Sequence, residues 1–425
     1  MKSKTIAEIN EKIANEEANV FTSQELKELI REDNTPNFDE VDVVTCGTCG
    51  IMSGTAAIFH LDVFEPGLFK KAKNIYLNGV PGFVGPCPNE WLGSVDTIVY
   101  GTSHSVKDHS YGGGFLFKDI IDGKDIEIEL ESIDGEKYSS TITIENIPTA
   151  QMIGTRMAFK NYTSFVNPSK DPVSSIFNGI AMEGNFESFS FSGCGEINPL
   201  ENDPDQNTVV PGSNILLNGS KGVILGNGTR SSDVKPNFML TADMHQMEPE
   251  FLGGFKTPEG PEIFSSVAIP IPVLNEKILK QLMILNHKIP LPIADIRGRH
   301  LQLSETTYEK VWNNFDERPI FHEDKCIKCS SCLVEERCPT IAFTTTFDET
   351  SKQDKNLDTE KCFGCGLCKY SCLGGVFEMN TGSIAIDIDD IVHDVPIACR
   401  QSDIKRAKSL TNKLKNMIEK KEFKL

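Results

Sequence analysis

The stretch that decides the fold of the C-terminal quarter is Asp324–Cys332, DKCIKCSSC, which recurs as EKCFGCGLC at Glu360–Cys368. Each copy places three cysteines at every third position, and a fourth cysteine follows, Cys338 or Cys372. Three thiolates at this spacing can bind one face of an iron–sulfur cubane, whereas the fourth ligand comes from elsewhere in the chain. A duplicated half is also what a pseudo-twofold module with two clusters requires.

The cysteine run resembles that of bacterial-type ferredoxins, in which the fourth ligand of each cluster comes from the other motif. The resemblance implies two 4Fe-4S clusters. One is assigned to Cys326, Cys329, Cys332 and Cys372, and the other to Cys362, Cys365, Cys368 and Cys338. Two departures, a longer gap before Cys338 and Leu373 in place of a proline, remove no ligand. A zinc site is the alternative, but zinc does not account for two cysteine triplets that are each followed by a fourth cysteine.

Composition limits the class of protein. The chain has 425 residues, enough for two or three domains, and a formal net charge of -19, which argues against binding nucleic acid. It contains no run of about 20 apolar residues and begins with a polar helical pattern, so we expect neither a membrane span nor a signal peptide. We therefore expect a cytoplasmic protein, where thirteen cysteines indicate metal binding or catalysis rather than disulfides.

Three domains are predicted. Residues 1–317 form a mixed α/β catalytic domain of many short strands, because short apolar runs alternate with glycine-, asparagine- and proline-rich turns. Residues 318–394 form a small α+β ferredoxin domain, and residues 395–425 a basic amphipathic helix. A basic helix can bind a membrane or a partner, but packing on the acidic body is the preferred interpretation.

Five cysteines remain for other roles. Cys46 and Cys49 occur in VVTCGTCGIMSG, which predicts a glycine-rich turn after a strand, where backbone N–H groups favour a thiolate. Such a thiolate suits persulfide chemistry. A pair of cysteines also allows a transferred sulfur to be released as the two thiols form a disulfide. A third metal site or a buried structural pair is the alternative. Cys194 is flanked by glycines, which indicates a close backbone approach, whereas Cys87 and Cys399 receive no role.

Basic residues in glycine-rich segments are candidates for substrate binding. Tyr111–Lys124 places three glycines before a helix and could bind an anion, although this signal is weak alone. Asn218–Arg230 predicts either an anion site or hairpins. The predicted substrate-binding residues are Arg156, Lys221, Arg230 and His245. For His245 the structural interpretation is favoured over acid–base catalysis.

Several motifs in order resemble a known family. They are VDVVTCGTCGIMSGTAAIF, LNGVPGFVGP, YGGGFLFKDIIDGK, FKNYTSFVNPS, SGCGEINPLENDP, LLNGSKGVILGNGTR, KPNFMLTADMHQMEPEFL and VAIPIPVLNE. Together they resemble the homocysteine-biosynthesis family, the L-aspartate semialdehyde sulfurtransferases. The fused cysteine module is similar to the methanogen branch called methanogenesis marker protein 16.

The resemblance implies a reductive sulfur transfer that converts an aldehyde to a thiol. It also implies cysteine sulfur carriers, one of which corresponds here to Ser53, while the second has no counterpart within residues 135–140. Cys49, with Cys46 or Cys194 as partner, is the predicted substitute.

The resemblance also bears on substrate and partners. A methanogen branch implies sulfoacetaldehyde as substrate and coenzyme M, 2-mercaptoethanesulfonate, as product. L-aspartate semialdehyde, giving homocysteine, is the alternative. The expected partners are a small anionic aldehyde, a sulfur donor and an external low-potential electron donor. The alternative of another class is a ferredoxin-type electron-transfer or assembly protein without catalysis of its own.

Overall fold

The computed structural model describes residues 2–85, 90–160, 162–347, 353–388 and 390–425. Two amphipathic helices come first, α1 (Ile6–Ala14) and α2 (Ser23–Arg31). The spacing of Thr22 and Glu25 in the sequence predicts a capping box, and the structure confirms it at the start of α2.

Short strands make up most of the fold. The strands of the first two thirds are β1 (Val20–Thr22), β2 (Val43–Ile51), β3 (Thr55–Asp62), β4 (Ala72–Leu77), β5 (Val80–Val84), β6 (Ser94–Tyr100), β7 (Ile126–Ser132), β8 (Lys137–Ile142), β9 (Thr149–Met157), β10 (Ser164–Val166), β11 (Phe189–Phe191), β12 (Asn214–Leu217), β13 (Ser220–Asn227), β14 (Phe238–Asp243), β15 (Gly253–Thr257) and β16 (Gly260–Pro272). The remaining strands are β17 (Pro290–Asp295), β18 (Gln302–Thr307), β19 (Ile320–Phe321), β20 (Phe343–Phe347), β21 (Gln353–Leu357), β22 (Phe377–Glu378), β23 (Ser383–Ile388) and β24 (Ile391–Arg400).

The helices that follow α2 are mostly short. They are α3 (Gly113–Ile121), α4 (Pro199–Asn202), α5 (Glu276–Leu282), α6 (Tyr308–Trp312), α7 (Leu333–Arg337), α8 (Leu367–Ser371) and α9 (Ile404–Glu419). α7 ends directly before Cys338 and α8 directly before Cys372. The sequence repeat is therefore also a structural repeat, since each copy leads through one short helix to its fourth cysteine.

Two large sheets organise these elements. The first has 14 strands in the order β1-β2-β16-β12-β13-β14-β9-β3-β6-β5-β4-β7-β8, with β15 also paired to β16. The second has the order β18-β17-β10-β11-β24-β23. It joins strands from before and after the cysteine repeat, where the residues that the structure describes form the small pairs β19–β22 and β20–β21.

α9 packs against β2 and β16 as part of the core. Its fully buried residues are Ala407, Leu410, Leu414 and Ile418. Its basic side makes ion pairs with acidic residues, including Lys415 with Glu25 at 2.8 Å and Lys408 with Glu317 at 2.8 Å. The expected packing of this helix on the acidic body is thus observed.

The predicted mixed α/β class with many short strands and a C-terminal helix is confirmed. A separate ferredoxin domain stays a prediction, because β23 and β24 belong to the six-stranded sheet that the larger part of the chain also forms. Among the described residues, no helix is long and apolar enough to cross a membrane.

Candidate functional site

Cys46 and Cys49 lie inside strand β2, so the prediction of a glycine-rich turn around them is wrong. Glycine gave the turn signal, but in a strand it can also mark close approach of another segment. A Cβ on Gly47 would lie only 2.6 Å from Thr411 Cγ2 of α9. Because side chains alternate along a strand, residues three apart point to opposite faces. The two thiols therefore do not face each other, and this strand does not favour a disulfide between them.

The Cys49 side chain faces α9. Ser266 lies directly opposite on β16, and the backbone N–H of Asp403 donates to Cys49 O over 3.1 Å. The thiol is fully buried in an apolar core that also contains Phe264 and Phe363. Burial raises the pKa of the Cys49 thiol well above its usual range, so the resting group is a protonated thiol shielded from water.

Cys46 faces the other side, towards α2, where a buried lysine was not foreseen. Lys27 Nζ donates to Asn202 Oδ1 over 2.8 Å and also to the backbone oxygen of Leu282. Burial lowers the pKa of Lys27 to about 8 and raises the pKa of Cys46 to about 12. At neutral pH Cys46 is therefore a protonated thiol, whereas Lys27 is still mostly charged and is held by polar partners in a structural core.

Cys194 approaches β2 from a tight backbone segment. Gly193 and Gly195 on either side have φ values of 110° and 58°, so the predicted close approach is observed. Cys194 Sγ lies 3.7 Å from both Thr48 Oγ1 and Cys49 O. Burial raises its pKa to about 11. Cys194 is thus brought to the backbone of Cys49, within the same apolar core.

A buried ionic triad, Arg318, Asp403 and Arg406, connects β2 to the second cysteine motif. Arg318 donates to both carboxylate oxygens of Asp403, over 3.2 and 2.8 Å, and Arg406 also binds this carboxylate. Arg406 Nη1 donates in addition to the backbone oxygen of Cys362 over 2.7 Å. Since Asp403 also bonds the backbone of Cys49, the triad fixes the two cysteine-bearing segments relative to each other.

The two predicted ligand sets differ in burial, because only one of them contains buried cysteines, Cys362 and Cys365, beside the half-buried Cys338 and Cys368. Four cysteines, here called the inner set, line one small cavity: Cys338, Cys362, Cys365 and Cys368. Burial raises the pKa of the Cys362, Cys365 and Cys368 thiols, and Cys338 interacts electrostatically with all three. Four cysteines around one cavity, with the fourth from the other motif, fit a cubane with crossed ligands.

The other four cysteines, here called the outer set, are half-buried: Cys326, Cys329, Cys332 and Cys372. Three of them, all but Cys329, pack against an apolar cluster that contains Phe343 and Phe377. Within the described ranges, no three His, Cys, Asp or Glu side chains are arranged to hold a single metal ion. A cubane has a different requirement, since each thiolate binds a separate iron.

The predicted substrate-binding residues fall in different places. Arg156 and Arg230 are neighbours, and together with burial Arg230 lowers the pKa of Arg156. Arg156 packs over the Phe159 ring at 4.7 Å. The ring nitrogens of His245 lie 2.7 Å from Asp243 Oδ1 and 2.8 Å from the backbone oxygen of Ile147. Ile147 precedes the start of β9, whereas Arg156 lies at the end of that strand, so His245 is distant from the two arginines. Its hydrogen bonds give His245 the structural role favoured above. Lys221 is an exposed residue of β13.

The two glycine-rich motifs have backbone roles. At the start of α3, the N–H groups of Gly113 and Gly114 donate to Ser103 O and Gly101 O over 2.8 and 3.0 Å, so they are not free for an anion. The turn between β12 and β13 uses Asn218 and its following glycine, both with positive φ, which makes this motif a hairpin. Cys87, for which no role was predicted, lies outside the described residues.

A buried carboxylate, Glu262, lies beside Ser53, the position expected from the resemblance to match a carrier cysteine. Glu262 is hydrogen-bonded to Ser53, and burial raises its pKa. Its Oε2 has no hydrogen-bond partner among the residues that the structure describes. The sequence did not predict the positions of Glu262, Lys27 or the triad. An isolated charged residue in an apolar segment or a loop forms no pattern that would indicate its burial.

Comparisons with known proteins agree with this architecture. A protein from Methanothermobacter thermautotrophicus is 51% identical over 98% of this chain and 94% of its own length, and one from Methanocaldococcus jannaschii is 46% identical over 96% and 99%; both are called uncharacterized. The L-aspartate semialdehyde sulfurtransferase of Methanocaldococcus jannaschii is 32% identical over 72% of this chain and 62% of its own length. No solved structure matches. The model of the family "Homocysteine biosynthesis enzyme, sulfur-incorporation" matches residues 18–425, so the chain belongs to that family.

Proposed function

We propose that the protein is a sulfurtransferase that converts a small anionic aldehyde to the corresponding thiol by reductive sulfur transfer at Cys49. The observation that carries the proposal is the common apolar core in which Cys49 and Cys365 of the inner set are both buried. A sulfur-carrying thiol and a set of iron ligands thus share one water-poor region, which supports coupling of sulfur transfer to electron supply.

The net reaction balances with sulfide as the sulfur source. An aldehyde, hydrogen sulfide, two protons and two electrons give a thiol and water. If Cys49 carries the sulfur as a persulfide, two further electrons and two protons are needed, because the S–S bond must also be reduced. A sulfur donor is the expected co-substrate, and an external low-potential donor is the expected source of electrons.

Residues of this chain have defined parts in the proposal. Cys49 holds the transferred sulfur, and its burial excludes water that would hydrolyse a thioaldehyde-level species. Burial and the Asp403 carboxylate raise the pKa of the Cys49 thiol and Arg406 opposes this shift, and Cys194, which contacts the backbone of Cys49, is a candidate for a second thiol. The inner and outer sets would each hold one 4Fe-4S cluster, which supplies single electrons when bound.

Sulfoacetaldehyde is the preferred substrate of the proposal, with coenzyme M as the product. Methanocaldococcus jannaschii has a protein similar to this chain along almost its full length and, separately, a more distant L-aspartate semialdehyde sulfurtransferase. Two separate proteins in one organism support different substrates for them. A sulfonate also needs only cationic and N–H donors, whereas an amino acid needs a partner for its ammonium group.

L-aspartate semialdehyde is the second candidate, and one observation favours it. Glu262 is a buried carboxylate without a cation partner within the described parts of the chain, and it lies beside Ser53. Such a group could receive the ammonium of an amino-acid substrate. The ferredoxin-type carrier without catalysis is the remaining alternative, and it predicts no thiol from either aldehyde.

One assay separates the three functions. Anaerobically purified protein is incubated with reductant and each aldehyde in turn, with either sulfide or polysulfide as sulfur source, and the thiol product is measured; only polysulfide can load Cys49 as a persulfide without an added oxidant. We expect 2-mercaptoethanesulfonate from sulfoacetaldehyde with a higher kcat/KM than homocysteine formation. A preference for aspartate semialdehyde would replace the substrate but keep the reaction, whereas absence of any thiol would refute catalysis.

A further inference from the structure

We propose that a pocket between α3 and the cysteine repeat, here called the seam pocket, binds the carboxylate or sulfonate head group of a small organic anion. It has a volume of about 180 Å³. One side comes from α3 and β15, and the other from Thr340, Ile341 and Lys361 of the cysteine repeat and Arg406 of α9. The proposal rests on the proposed function in that the anion would be the head group of the aldehyde.

An unpaired cation in this pocket is the main observation. Lys118 of α3 lines the pocket and donates to Pro249 O over 3.0 Å. No carboxylate lies within ion-pair distance of its ammonium group in the part of the chain that the structure describes. Burial lowers the pKa of Lys118 although the more distant carboxylates of Asp122 and Asp119 act against this shift, so the charge of Lys118 is only partly compensated. A bound anion would complete that compensation.

The other charges leave a positive excess. Lys124 lies 2.6 Å from Asp119 and 3.8 Å from Asp122, so the charges of Lys118 and Lys124 are balanced by these two carboxylates, and Lys361 is paired with Asp358 at 3.5 Å. In the triad, two arginines share the single carboxylate of Asp403, which leaves one positive charge beside the pocket. In a chain with a formal net charge of -19, a local excess of this sign is specific to the site.

The apolar walls fit a short stem attached to the head group. Phe115, Leu252 and Phe264 line the pocket. Phe264 lies on the same face of β16 as Ser266, which is paired with Cys49, and two residues of strand span about 7 Å. An anion held by Lys118 therefore has its stem on the side of the pocket that leads to Cys49.

The cations could instead compensate thiolates of the inner set, so the test must separate the two roles. Binding of the unreactive anions ethanesulfonate, propionate and 2-aminobutyrate to the iron-loaded protein is measured by calorimetry. We expect saturable binding of ethanesulfonate that is weakened at least tenfold in Lys118→Met and restored in Lys118→Arg, with iron content unchanged. Lys277→Gln, which removes an equal charge from the exposed Lys277–Asp205 pair, is the matched control.

A second variant avoids the buried position. Lys124→Gln leaves Asp119 unpaired at the pocket rim and should weaken ethanesulfonate binding severalfold. The proposal is overturned if the wild-type protein shows no saturable binding, if both variants bind as it does, or if Lys118→Met loses iron while its anion affinity is unchanged. Because the probes cannot react, binding can succeed when thiol formation fails. Tighter binding of 2-aminobutyrate than of ethanesulfonate would overturn the sulfonate head group.

Discussion

At the scale of single residues, the surroundings of Cys49 differ from those of the other buried thiols, because it combines the triad with the apolar core of the inner set. We expect Cys49→Ala to abolish thiol formation while the protein keeps about eight irons per chain, as two cubanes require. Cys399→Ala is the matched control, since Cys399 is equally buried in the same core. Full activity of Cys49→Ala would exclude the carrier role and move it to Cys194.

Lys27 provides a prediction for alkaline pH. Its pKa is lowered to about 8 by burial, whereas an unfolded lysine titrates near its ordinary value of 10.5. Between these values the unfolded chain binds more protons, so the contribution of Lys27 to stability rises with pH, by about 3 kcal/mol in total. The free energy of unfolding, measured in urea from pH 7.5 to 10.5, should rise less steeply with pH, or fall more steeply, in Lys27→Met than in the wild-type protein. Identical pH slopes for the two proteins would contradict this.

The buried thiols act in the opposite sense. Burial raises the pKa of Cys46 to about 12, so in the same range the folded thiol keeps a proton that the unfolded one loses. Its contribution is complete below the unfolded pKa and is lost as pH rises towards 12. Cys46→Ala should therefore make the stability profile rise more steeply with pH, and comparison with Lys27→Met separates the two contributions.

Sequence predicts single residues well where local hydrogen bonds decide their role. Thr22 forms its capping box with Glu25, three residues later, and the His245 ring is hydrogen-bonded to Asp243, two residues before it. Burial of one charged residue depends on contacts across hundreds of residues, as for Lys27 with Leu282. No local pattern reports such contacts, so Lys27, Lys118 and Glu262 could not be predicted.

At the scale of elements, the glycines of β2 predict a turn, whereas in the structure Gly47 allows α9 to pack closely against the strand. Gly47→Ala should destabilise the protein by roughly 1–3 kcal/mol, because the added methyl group would meet Thr411 Cγ2 at 2.6 Å and Ala407 O at 2.9 Å. Gly226→Ala in β13 is the matched control, since a Cβ there meets nothing within 4 Å. Thermal unfolding of both variants measures the difference. Equal melting temperatures of Gly47→Ala and Gly226→Ala would contradict close packing of α9 against β2 at Gly47.

Element boundaries were predicted less well than element types. The apolar spacing predicts one helix over 275–286 and another near 304–315, whereas α5 ends at Leu282 and α6 begins only at Tyr308, after β18. Strand pairing with distant segments decides such ends, and it leaves no local signal. The crossed ligand pattern stays a prediction that rests on the resemblance to two-cluster ferredoxins, and the cavity lined by the inner set is compatible with it.

At the scale of the whole molecule, α9 stabilises the larger sheet. Removal of residues 403–425 deletes Asp403 and the buried apolar face of α9, so we expect a chain that does not fold, as judged by circular dichroism and thermal unfolding. Lys415→Gln removes only a partly exposed ion pair with Glu25 and should change stability by less than about 1 kcal/mol. A cooperative transition in the truncated protein at the wild-type temperature would contradict this role.

The packing of α9 on β2 has a consequence for synthesis on the ribosome. β2 is complete after residue 51, but the helix that covers its Cys49 face ends only at Glu419. Contacts so distant in sequence form late, and a chain is made from its N-terminus onwards. Both cysteine motifs emerge before α9, so the proposed clusters would be inserted while this face of β2 is still open, and α9 would then close the core over Cys49 and the inner set together.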